Sequence, residues 1–175
     1  WHGYFPVESY GTSMNRLIAL TLLLACPAAE AQQDGLVEGA KLAEAFNQAD
    51  LDTLGQCQAR IEGGIRLHDE FVEWLGANGQ PGAADAARLL KERGGPLAQT
   101  LSTVRRTAAQ GEGLSLAASD AAHAAMMETF TRHPGEDERA AYARWQPQTK
   151  LSPDCAPALK RARWKISFDH LPEVG

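Results

Sequence analysis

The chain has 175 residues, with 17 Lys and Arg against 22 Asp and Glu, a net charge of −5, and 44% hydrophobic residues. That balance excludes a strongly basic nucleic-acid binder and a disordered polyelectrolyte, and the length is right for one domain with a proper core.

The first methionine is Met14, followed by Arg16, an uncharged apolar run from Leu17 to Ala25, Pro27, and Ala29-Glu30-Ala31. Positive residue, apolar stretch, helix breaker and small-x-small site stand in the order of a secretory signal. Residues 14–31 are read as that signal, cleaved after Ala31. Residues 1–13 are read as upstream or expression-derived sequence, and 32–175 as the mature domain. The apolar run is too short to span a bilayer, which takes about 20 residues, so no transmembrane span is expected after cleavage. Leu23-Leu24-Ala25-Cys26 also resembles the cysteine signal of lipid-anchored proteins. Pro27 directly after Cys26 and the well-formed Ala31 site favour plain secretion. The expected location is periplasmic or secreted.

Cleavage would remove Cys26 and leave Cys57 and Cys155. In an oxidising compartment such a pair reads as a disulfide. No Cys-x-x-Cys spacing suggests redox or metal thiols.

Apolar positions recur at helical spacing and no stretch alternates at period 2, so the expected class is all-α. In chain order, a first helix runs from about Leu36 to Ala49, with Asp50 as the N-cap of a second or a kink. The second carries Leu51, Leu54, Gln58, Ile61, Ile65, His68, Val72 and Leu75 as a heptad seam. It stops at Ala77-Asn78-Gly79-Gln80. Pro81 opens a third, ended by Gly94-Gly95. Pro96 opens a fourth along Leu97, Leu101, Val104 and Ala108, with Arg105 and Arg106 outward and a turn at Gly111-Glu112-Gly113. Further helices run from about Ser115 to Arg132, Glu136 to Trp145 and Asp154 to Trp164. The stretch from Lys165 to Gly175 has no clear periodicity. The short loops predict a single-domain bundle of about five to six antiparallel helices, its last helix stapled to the seam helix through Cys57–Cys155.

His68 and His123 fall on apolar stripes. Asp120 lies three residues before His123, and Asp69, Glu70 and Glu73 surround His68. Together they are the only weak candidates for a metal or a polar site. Zinc normally takes three or four ligands at recognisable spacing, so each histidine reads first as a boundary residue. Met126 and Met127 point about 100° apart on a helix and read as core filler rather than copper ligands. No Gly-x-Ser-x-Gly elbow or Cys-x-x-Cys-His haem motif occurs. Trp74, Trp145, Trp164 and Tyr142 read as partly buried, with Trp74 and Tyr142 the candidates for a partner-facing rim. The acidic run Glu136-Asp137-Glu138 reads as a solvated helix start. No cofactor is expected. The functional expectation is a non-enzymatic envelope protein of the binding, adaptor or inhibitor/immunity type, with another envelope protein as partner. The alternative is a small metal-binding protein or hydrolase using His68, His123 and nearby carboxylates.

Overall fold

The computed structural model describes residues 45–171. The signal segment, Cys26 and most of the helix expected from Leu36 lie outside them. The described residues are all-helical: α1 (Gln48–Ala77), α2 (Ala83–Glu112), α3 (Leu116–Glu128), α4 (Glu138–Trp145) followed by a 3₁₀ turn (Gln146–Thr149), and α5 (Cys155–Arg161). One disulfide, Cys57–Cys155, joins α1 to α5 with Cα atoms 6.0 Å apart.

α1 begins two residues before the expected cap. Asn47 is the N-cap: its side chain accepts from the Asp50 N–H, and Asp50 accepts from the Asn47 N–H, both at 3.2 Å. Asp50 is therefore the third helical residue of a capping box rather than the cap or a kink. The helix then runs 30 residues, because it is the central post of the bundle. Gln58 meets Arg105, Ile61 and Ile65 meet Gly94, and Asp69 meets Lys91, so α2 runs antiparallel to it. Leu51 meets Ser119, Glu62 meets His123, and Glu70 meets Arg132, so α3 runs parallel. α4 and α5 cross back antiparallel over its two halves, through Phe71–Trp145 and Cys57–Cys155.

The break expected at Gly94-Gly95-Pro96 is absent. α2 is one helix with Pro96 inside it. A mid-helix proline costs about 3 kcal/mol in isolation. Here Leu90, Gly94, Ala98, Leu101 and Arg105 form one buried stripe across the site, and a Cβ at Gly94 would sit 3.2 Å from Ile61. Burial on both sides of Pro96 carries the helix through, while the ring faces solvent.

The core has two centres. Leu51, Leu54, Cys57, Ile61, Leu101, Val104 and Leu159 fill the end near the disulfide. Leu67, Phe71, Leu75, Phe130 and Trp145 fill the other. Trp145 is fully buried and meets Phe71 edge-on at 5.2 Å and Phe130 at 6.1 Å. Trp74 and Tyr142 pack on Phe71 and stay half-buried, their rings 5.5 Å apart.

Gly63 is where α1 admits the Phe130 ring; a Cβ there would be driven into it. Phe130 is fully buried, so the ring can yield only by disturbing Trp145. Gly63→Ala is expected to lower stability by about 1–3 kcal/mol, overpacking outweighing the roughly 1 kcal/mol that alanine gains in a helix. Gly76→Ala, on the same helix with nothing within 4 Å, is expected to be neutral or stabilising. Thermal melts of the two variants check this. Equal midpoints would mean the Phe130 contact is not tight.

Glu136 anchors the loop before α4. It accepts from the His133 N–H at 3.0 Å and from Arg144 at 2.9 and 2.7 Å. Those bonds, Arg144 first, hold its carboxyl down to about 2. The clamp's contribution is therefore complete above the ordinary Glu range and fades only as pH falls toward that value.

Candidate functional site

Position 58 of α1 and position 62 share a face, one turn apart, and α3 lies against that face. The result is a continuous polar chain through the interface of three helices. Gln58 Nε2 donates to Glu62 Oε1 at 2.8 Å. Glu62 Oε2 lies 2.8 Å from His123 Nε2. Gln58 Oε1 accepts from Arg105 Nη1 at 2.8 Å. Arg105 Nε donates to Ser119 Oγ at 3.0 Å, and Nη2 to Asp120 Oδ1 at 2.6 Å. Ser119 Oγ in turn donates to the Leu51 carbonyl at 2.6 Å. At Gly55 a Cβ would sit 2.6 Å from the Ser119 carbonyl, so a glycine is what lets the two backbones approach.

The expected outward position of Arg105 is thus corrected. Its side chain is 4% exposed, whereas its partner Asp120 is 62% exposed. Arg105 stands one turn after Leu101, on the buried stripe of α2. The buried face is wide enough to hold both Val104 and Arg105. A cation at i+4 from a core leucine, with Ser119 and Asp120 available on the next helix, was the signal in the sequence. Arg106 is exposed.

The candidate residues divide. His123 pairs with Glu62, not with Asp120. Asp120 serves Arg105. His68 is buried on α1, next along the stripe from Ile61 and Ile65, which pack on α2. Its Nδ1 has no hydrogen-bond partner. Among the described residues no group of three His, Cys, Asp or Glu side chains is placed to hold a metal ion.

Chemically, Glu62–His123 is a carboxylate-held imidazole, half-open to solvent. The hydroxyl in the same network, Ser119, is fully buried and bonded on both sides. An attacking oxygen would need to be free and within reach of the imidazole.

Desolvation lowers the His68 pKa, with Asp69 pulling weakly the other way. The folded protein keeps this ring neutral while the unfolded chain protonates it near the ordinary value of about 6.5. Stability from this group is therefore level above that value and falls as pH drops through it, until the lowered folded value is passed. His68→Leu is expected to flatten this part of the acid decline. Urea midpoints of the two proteins across that range check it; parallel curves would rule His68 out as the cause.

A surface groove of about 560 Å³ lies between α2 and the C-terminal stretch, lined by Glu92, Arg93, Pro96, Leu97, His170 and Leu171 among others. Sequence reasoning missed it, because residues 165–175 showed no periodicity. The stretch in fact packs Ile166, Phe168 and Leu171 on the core.

Fold and site together define a disulfide-stapled helical bundle with a three-helix polar network. Comparison with known proteins finds no matching family model, and no matching curated protein or solved structure.

Proposed function

We propose that this chain is an exported, non-enzymatic binding protein of the bacterial envelope, of the adaptor or inhibitor/immunity type. One observation carries the reading. Apart from His68, the candidate polar residues are occupied by one another across helices: His123 with Glu62, Asp120 and Ser119 with Arg105. Such a network fixes helix register and specifies one packing. A bridge with both sulfurs buried supports an oxidising compartment. The signal-like segment from Met14 to Ala31 supports export.

The test is fractionation of a bacterial host expressing the chain, followed by intact mass. The expected product starts at Gln32, is two hydrogens lighter than its sequence, and leaves the cell with the periplasmic fraction. A species starting at a lipidated Cys26 would replace a free binding protein with an anchored one. A full-length cytoplasmic species with free thiols would overturn the reading.

The Glu62–His123 pair favours a second reading, a small metal-binding protein or hydrolase using His68, His123 and neighbouring carboxylates. It requires stoichiometric metal in the native protein, lost in His123→Ala with the fold intact. The binding reading expects His123→Ala to change stability alone.

A further inference from the structure

α5 ends in an arrangement that its sequence does not favour. Ala162 is the C-cap. The Arg163 N–H donates to the Lys160 carbonyl and the Trp164 N–H to the Leu159 carbonyl, both at 3.0 Å. This is the paired closure of a Schellman motif, whose C′ position is left-handed and ordinarily glycine. Arg163 occupies it with φ of 62°, the single positive-φ non-glycine residue among the described residues. An L side chain there is strained where glycine would not be.

What the strain displays is specific. Trp164 follows, 37% exposed, the one large apolar side chain among the described residues left in solvent. In this motif the residue at C″ ordinarily packs back on the helix. Lys160, Arg163 and Lys165 flank it and are all exposed. None of the three has a side-chain hydrogen bond or ion pair among the described residues. The nearest acid along the chain, Asp169, accepts from Ser167. The corner is also held rigidly. Arg161 donates three bonds to Asp50, and Cys155 is bridged to Cys57.

We propose that this corner, Lys160, Arg163, Trp164 and Lys165, docks the protein on an anionic phospholipid surface. Free cations want phosphate. A tryptophan among them wants the boundary between headgroups and acyl chains. An acidic protein face is the competing partner; Arg163 and Trp164 would suit it, but Lys160 and Lys165 are of a type depleted at protein interfaces and favoured beside phosphate. The whole chain carries −5, so an anionic bilayer repels most of its surface. Attraction at a local cluster such as this corner sets the orientation of docking. No helix of the described residues is long and apolar enough to cross a membrane, so contact is peripheral.

The experiment is co-sedimentation of the full chain with phosphatidylglycerol-containing vesicles and with pure phosphatidylcholine vesicles, the neutral set giving the baseline for other segments, Leu17–Ala25 included. The expected result is an anionic excess that shrinks with salt. Trp164→Ala and Lys165→Glu should each reduce it. Arg163→Gly is the decisive variant. Glycine fits the left-handed position, so its melting temperature should rise while the anionic excess falls about fivefold, the effect of one surface cation. A fall in binding with a stable fold cannot be ascribed to unfolding. Equal partitioning on both vesicle types, or an unchanged excess in Arg163→Gly, would overturn the proposal. So would binding to poly-glutamate without binding to vesicles, which would assign the corner to an acidic protein.

Discussion

Removing the Cys57–Cys155 bridge is expected to lower stability by about 4–5 kcal/mol. The bridge spans 98 residues of sequence, and closing a loop of that size in the unfolded chain takes away roughly this much conformational freedom. It ties the third turn of α1 to the start of α5, which brings the far ends of the described fold together. Cys57→Ala/Cys155→Ala should still fold, because Asp50 and Arg161 hold α5 in the same place through three hydrogen bonds. Its urea midpoint should fall sharply. Its m value should rise, as an unbridged denatured chain exposes more surface. The two sulfurs are buried, so dithiothreitol alone should leave the native bridge intact, and reduction should need denaturant. A reduced protein that unfolds at the oxidised midpoint would show that the bridge does not constrain the denatured ensemble.

The bridge was legible in the sequence because setting Cys26 aside with the signal-like segment leaves two cysteines and one pairing. The helical class was legible from the seam of α1, where Leu51, Leu54, Ile61 and Leu75 are buried as the spacing requires. The seam showed only one of α1's buried faces. Leu67 and Phe71 are fully buried too, since α2, α3 and α4 surround the helix, and a heptad pattern describes contact with a single neighbour. At Pro96 local propensity favours a break, and burial of Leu90, Gly94, Ala98 and Leu101 on either side overrides it. The polar network escaped for a different reason. Sequence spacing within one helix suggested Asp120 for His123. The actual partner, Glu62, comes from another helix 61 residues away, and only the parallel packing of α1 and α3 puts them together. The same holds for Arg105, whose three acceptors lie on two helices.

Arg105→Ala is expected to cost about 3 kcal/mol, and the reason matters more than the size. Asp120 is mostly in water, so its attraction for the guanidinium is screened and modest. What offsets burial of the cation is two neutral acceptors inside the bundle, Gln58 Oε1 and Ser119 Oγ, together with the packing of the aliphatic stem. Alanine removes all of this and leaves Gln58 Oε1 buried without its donor. Arg105→Met refills the space without restoring the hydrogen bonds, and should recover about half of the loss. Asp120→Asn should cost under about 1 kcal/mol, because the carboxylate it replaces is exposed. Urea unfolding of the three variants at low and high salt separates the contributions. If Asp120→Asn proved as damaging as Arg105→Ala, and strongly salt-dependent, the interface would be held by an ion pair. The expected order, with Asp120→Asn mildest and little influence of salt, means that a hydrogen-bonded cation sets the register of three helices. Glu62 and His123 then stand where they do because Gln58, fixed by Arg105, holds the Glu62 carboxylate in place.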